Sequence, residues 1–212
     1  MKTADINVTL IDSMGSDLSA VNAARVSFHK ESAEFVDKDA GLIRYLAKHK
    51  HTSPFNHAFL SFRVKAPIYV ARQLVKHKFL PWNEVSRRYV DEEPEFYFSE
   101  YRERSEDKKQ GSGGIHPQGY GLGLTTRTIT SRILRHYQYL IAQGVAPEQA
   151  REVLPQNTMT EWCWSGSLGA FADMLRLRLD EHAQHESRIV AQKILEEIKP
   201  RFPVSIEALL EG

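Results

Sequence analysis

Several things are scarce in this sequence, and each scarcity excludes something. There is one cysteine in 212 residues, Cys163. An internal disulfide is therefore impossible, and a reducing cytoplasm is the expected compartment. No apolar run approaches the ~18 residues that a membrane span requires. Met1 to Ile6 lacks the apolar core of a signal peptide. No sign of charge dominates: 28 Lys and Arg face 27 Asp and Glu, for a formal net charge of +1. A general nucleic-acid binder usually shows a strong basic excess, so no nucleic-acid partner is expected. No internal repeat is visible. What is present is ordinary for a globular protein, with 42% hydrophobic and 26% charged residues. That suits a single domain over 1–212 with a sizeable core.

The chemistry is concentrated in residues 72–89. Cations come first: Arg72, Lys76, His77 and Lys78. Polar groups follow at Asn83, Glu84, Ser86, Arg88 and Tyr89. Pro67 suits the first position of a helix, and Ile68, Val70, Ala71, Leu74 and Val75 continue at helical spacing. Pro81 has no N–H and restricts Leu80, so this helix should end before it. The pattern predicts a helix carrying Lys-His-Lys at its C-terminal end, then a bent polar segment. A solvated cationic cap, favoured by the helix dipole, is the plain alternative.

Elsewhere the periodicity predicts an α+β domain. Strands are expected at residues 6–11, 57–65, 96–98 and 158–164. Asp17 can cap a helix that ends near Phe28. Asp39 starts a second helix, which runs into the histidine-rich stretch His49 to His57. The stretch 99–119 is polar and glycine-rich and should be mobile, either as a substrate lid or as a plain surface loop. Helices are then expected at 125–142, at 147–154, over the long run 168–198, and after Pro203. Arg178 and His182 lie four apart in that long helix, hence on one face. Cys163, between two tryptophans, reads as an inert buried thiol. A zinc site among the histidines is disfavoured, because no second cysteine and no HExxH spacing exists.

These residues also resemble a known family. The flavin-dependent thymidylate synthases carry Arg-His-Arg-x-x-Ser-x-Asn-Glu-x-Ser-x-Arg-Tyr. Here His77, Asn83, Glu84, Ser86, Arg88 and Tyr89 match, while Lys76, Lys78 and Pro81 replace two arginines and a serine. Ala24 to Phe28, His51 to His57, Ala150 to Pro155 and Leu177 to Gln184 resemble further blocks of the same family, so the likeness runs from about Val8 to Ala208. It implies a small, largely antiparallel sheet packed with long helices, assembled as a homotetramer with active sites shared between subunits. It implies conversion of dUMP to dTMP by a methyltransferase/oxidoreductase chemistry, with the carbon from 5,10-methylenetetrahydrofolate and the hydride from FAD reduced by NADPH.

Residue by residue, the resemblance implies that Gln73, Lys76, Glu84, Ser86, Arg88, Arg151 and Arg178 hold dUMP. Arg178 also polarises its base and is the catalytic residue. His51, Ser53, Lys76, His77, Lys78, Glu84, Asp173 and His182 are implied on the FAD side. The flavin side departs most from the pattern. Asn56 stands where glutamate is common, and Ser167, Gly169 and Asp173 replace Asn, Arg and Asn. Lysine keeps the charge of arginine but loses its planar fork. Two other readings stay open: a related enzyme that hydroxymethylates a pyrimidine nucleotide, and a non-catalytic nucleotide-binding homologue.

Overall fold

The computed structural model describes residues 1–105 and 111–211. In chain order they form β1 (Lys2–Thr3), β2 (Asn7–Met14), α1 (Asp17–Arg25), α2 (Asp37–Lys48), β3 (Phe59–Pro67), α3 (Ile68–Leu74), β4 (Trp82–Glu84), β5 (Glu95–Phe96), β6 (Arg102–Arg104), β7 (Ser112–Ile115), α4 (Gly119–Ala142), α5 (Pro147–Ala150), β8 (Met159–Ser167), α6 (Leu168–Arg178), α7 (His185–Ile198) and α8 (Pro203–Glu211). The fold class is α+β, as the sequence pattern predicts. The main sheet has the order β2-β3-β8-β4, and every pair in it is antiparallel. The short strands β1 and β5 pair in parallel, and β6 with β7 forms a hairpin.

Alternation along the strands decides which face is covered. Leu60, Phe62, Val64 and Ala66 of β3 point into the core with Trp162 and Trp164 of β8. Phe171 of α6 meets Phe62 and Trp164 edge-on, at centroid distances of 5.0 and 5.6 Å. Trp82 of β4 stacks on Trp162 at 4.2 Å. Burying each such aromatic contributes about 1.5–3 kcal/mol. Cys163 lies on the opposite face, paired in register with Arg63 and Asn83. It is half-buried rather than buried, because a residue between two inward tryptophans must point the other way.

Several elements differ from the sequence expectation, each for a local reason. The predicted helix 168–198 is two helices. The Asp180 carboxylate accepts from the His182 backbone N–H at 2.7 Å, and its carbonyl accepts from Ala183 N–H at 3.0 Å. That turn competes with the helix and ends it. His182 therefore lies in the connection, not one turn along a helix from Arg178. Helix α3 stops at Leu74, so Lys-His-Lys sits in a turn beyond it. Leu80 is buried there against Gly166 of β8, where an added Cβ would collide with its side chain and lie 3.1 Å from the Phe79 carbonyl. Seating Leu80 puts Phe79 at φ +62 and leaves it 84% exposed. Asp17 caps another helix than its own: its buried carboxylate accepts from Val204 and Ser205 N–H, each at 2.9 Å, at the start of α8. Helix α4 begins at Gly119, inside the stretch expected to be a loop. The rest of 99–119 carries β6 and β7, and the expectation of mobility at 106–110 falls outside the described residues. Among the described residues no helix is long and apolar enough to cross a membrane.

Candidate active site

Arg178 ends α6, a position where the helix dipole favours a cation. It is half-buried. Its Nε donates to His77 Nε2 at 2.9 Å, and its Nη2 donates to the Gln73 carbonyl at 3.3 Å. His77 can accept only as the neutral ring with its proton on Nδ1. Burial, and then the positive charge of Arg178, push the His77 pKa down to about 4, against a weaker opposing pull from Asp173. Burial also lowers the pKa of Arg178. No carboxylate among the described residues forms an ion pair with Arg178. A partly desolvated guanidinium held by neutral acceptors keeps its charge for something else.

Beside this pair lies a cavity of about 550 Å³. Gln73, Arg178, His182, Gln184 and Glu186 line one side, and Ser99 to Arg102 with Gly111 and Ser112 line the other. Gln73 is held at both ends of its amide. Its Nε2 donates to Gln184 Oε1, and its Oε1 accepts from Ser187 Oγ at 3.2 Å. Gln184 Nε2 donates in turn to Glu186 Oε2 at 3.0 Å.

Other predicted residues line a second cleft, of about 860 Å³. It contains Glu84, Arg72 and Arg151. Glu84 accepts from Trp82 Nε1 at 3.0 Å and from Thr160 Oγ1 at 2.7 Å, which fixes both carboxylate oxygens. Arg151 is exposed, and its Nε donates to the Glu148 carbonyl at 3.2 Å. Ser86 Oγ accepts from Arg88 Nε at 3.2 Å, and the Arg88 guanidinium sits 5.0 Å over the Tyr89 ring. One chain thus unites Gln73, His77, Arg178 and His182, but holds Glu84 and Arg151 in a separate cleft.

On the flavin side, Lys76 and Lys78 are exposed in the turn after α3, and His51 and Ser53 are exposed around the turn Ser53–His57. The His51 ring lies 6.2 Å from that of Tyr45 and 6.5 Å from that of His49. Asp173 pairs with Arg176. Ser167 Oγ donates to Asn56 Oδ1 at 2.7 Å, and a Cβ at Gly169 would lie 2.7 Å from the same oxygen. Among the described residues no group of three or more His, Cys, Asp or Glu is placed to hold a metal ion.

Sequence reasoning passed over Glu186 and Tyr101 as site residues, and named Arg72 only as a cation of its segment. Glu186 lies two residues after the His-Ala-Gln block and stands in the first turn of α7, so its neighbourhood was a usable signal. Tyr101 carried none, because its segment reads as polar loop.

Comparison with known proteins places this arrangement. The family model for thymidylate synthase complementing protein matches residues 9–204. The chain belongs to that family. It is 42% identical over 210 residues to a flavin-dependent thymidylate synthase of Thermus thermophilus, an alignment covering 97% of this chain and 77% of that protein. It is 38% identical over 208 residues to the flavin-dependent thymidylate synthase of Kosmotoga olearia, covering 96% and 89%. Among solved structures it resembles a UMP/dUMP methylase PolB from Streptomyces cacaoi bound with 5-Br dUMP. That match has a TM-score of 0.89 and 32% identity, over 100% of this chain and 97% of the other.

Proposed function

We propose that this protein is a flavin-dependent thymidylate synthase that converts dUMP to dTMP in the cytoplasm as a single-domain enzyme. The carbon comes from 5,10-methylenetetrahydrofolate, and NADPH is the reductant for FAD. The observation that carries this reading is Arg178: a partly desolvated guanidinium, uncompensated by any described carboxylate, at the wall of a cavity of about 550 Å³. Negative charge develops on the uracil ring as C5 becomes nucleophilic, and a fixed cation there lowers the barrier. Gln73, Lys76, Glu84, Ser86, Arg88 and Arg151 hold the nucleotide with it. The guanidinium fork of Arg151 suits a phosphate.

FAD, when bound and reduced, supplies the hydride. The donor set suits it. Lys76 and Lys78 are exposed cations with no described carboxylate paired to them, fit for a diphosphate or an anionic ring. His51, Ser53, His77, Glu84, Asp173 and His182 complete that side. Gln73 and Arg178 line one cleft of the chain while Glu84 and Arg151 line another. A second copy that brings its own Arg151 to the Arg178 cavity completes the nucleotide site, which supports a homotetramer with shared active sites.

The test is mass spectrometry of the nucleotide after incubation with dUMP, methylenetetrahydrofolate, FAD and NADPH. dTMP is expected, and it should vanish when FAD is withheld from flavin-stripped protein. A hydroxymethylated nucleotide would move the assignment to the related hydroxymethylating chemistry, and unchanged dUMP would remove it. A parallel arm with UMP measures how strictly the 2′-deoxy sugar is required.

A further inference from the structure

Glu186 is only 7% exposed, yet it lines the cavity beside Arg178. It has no ion-pair partner among the described residues. It raises the pKa of the Tyr69 and Tyr97 phenols, in each case after burial, and it accepts from Gln184 Nε2 at 3.0 Å, while the Arg102 and Arg178 guanidiniums line the same cavity without pairing to it. A buried carboxylate without a cation is costly, so its retention calls for a reason.

The chain of amides supplies one. An ionised carboxylate only accepts hydrogen bonds. Gln184 must therefore turn its Nε2 toward Glu186, which leaves its Oε1 facing Gln73. That oxygen needs a donor, so Gln73 must present Nε2 to it, and the Gln73 carbonyl then turns to Ser187 Oγ. An amide is nearly symmetric in shape, and without an anchor either Gln could flip at little steric cost. One buried charge removes that freedom from both. It leaves the second N–H of Gln73 Nε2 as a donor for the cavity.

We propose that Glu186 is a positioning residue that fixes the polarity of the Gln184–Gln73 amide chain, so that Gln73 meets an acceptor oxygen of the nucleotide as a donor. This rests on the assignment of the Arg178 cavity to dUMP. A flipped Gln73 would set its carbonyl against that oxygen, which exchanges a hydrogen bond for a repulsion.

The experiment compares the wild-type protein with Glu186→Gln and with the double exchange Gln184→Glu/Glu186→Gln. Dissociation constants for dUMP and steady-state KM and kcat are measured on flavin-loaded protein, with the flavin absorbance spectrum and Tm as controls. In the single variant no group on the chain is obliged to accept. Its dUMP affinity should weaken about 10-fold, the size of one hydrogen bond to a charged or strongly polar group, with kcat little changed. The double exchange moves the obligate acceptor one link along. The carboxylate then sits next to Gln73, demands its Nε2, and should restore affinity to within about 3-fold of wild type.

A single variant that binds dUMP as wild type does would overturn the proposal. So would a double exchange no better than the single, which would mean that the buried carboxylate matters only for packing. If wild type itself fails to bind dUMP, it is the assignment of the cavity that fails.

Discussion

His77 should remain neutral well below the pH at which histidines normally charge, and the protein should lose stability as it is forced to ionise. The ring accepts from Arg178 Nε at 2.9 Å, and burial with the adjacent guanidinium holds its pKa at about 4. In the unfolded chain the same ring titrates near ~6.5. Between those values the unfolded state binds more protons than the folded one, so stability falls as pH drops through about 6.5 and levels off below about 4. Between about pH 7.5 and about pH 4.5 the full shift amounts to about 2.6 kcal/mol. The ring is only half-buried, and solvent screening reduces this to about 1–2 kcal/mol. His77→Gln keeps an acceptor for Arg178 and cannot titrate. Urea unfolding at both pH values should show wild type losing about 1–2 kcal/mol more than the variant. Imidazole resonances of His77 should titrate with a midpoint near 4. A midpoint at or above ~6.5, or parallel pH profiles for the two proteins, would refute the reasoning.

Three further outcomes are expected. Arg178→Lys keeps a charge but loses the fork that reaches His77 and the Gln73 carbonyl together, so kcat for dTMP formation should fall about 100-fold or more while the flavin spectrum persists. Arg178→Ala and Arg151→Ala should each be inactive alone, yet regain measurable dTMP formation when unfolded together and co-refolded, because mixed oligomers contain sites with both arginines intact; no recovery would count against shared sites. Gly166→Ala should destabilise the fold by about 1–3 kcal/mol in urea unfolding, since the new methyl would displace Leu80 from its seat.

Much of this architecture was legible from periodicity, because strand and helix faces bury in a regular way. β3 and β8 alternate as their sequences do, and their inward tryptophans and phenylalanines build the core that the pattern called for. The block spacing also led to Gln73, Arg178 and His182, which line a single cavity, and to His77, which accepts from Arg178 at its wall. What periodicity missed was set by single side chains. The Asp180 carboxylate breaks an otherwise continuous apolar stripe, and α3 closes at Leu74 before a turn that seats Leu80 against Gly166. Nor could spacing separate the Arg151 cleft from the Arg178 cavity. That separation depends on how the chain folds between them.

The departures from the family pattern look independent in sequence, but three of them meet at one point. Asn56 comes from the turn after α2, Ser167 from the end of β8, and Gly169 from the first turn of α6. Ser167 Oγ donates to Asn56 Oδ1 at 2.7 Å while accepting from Ala170 N–H at 3.2 Å as the cap of α6. Gly169 leaves the space that the Asn56 amide fills, since any Cβ there would stand 2.7 Å from its oxygen. A long side chain at 169 is therefore incompatible with Asn56 where it stands, and the lost arginine is not a simple deletion. The three residues form a substituted unit, closed by its own hydrogen bonds, and on the proposed reading the exposed Lys76 and Lys78 supply the positive charge. Charge delivered from exposed lysine side chains, rather than from a guanidinium fixed on a helix, costs more side-chain ordering on binding. Flavin should consequently bind more weakly to this chain than to relatives that keep the arginine, with a steeper dependence on salt.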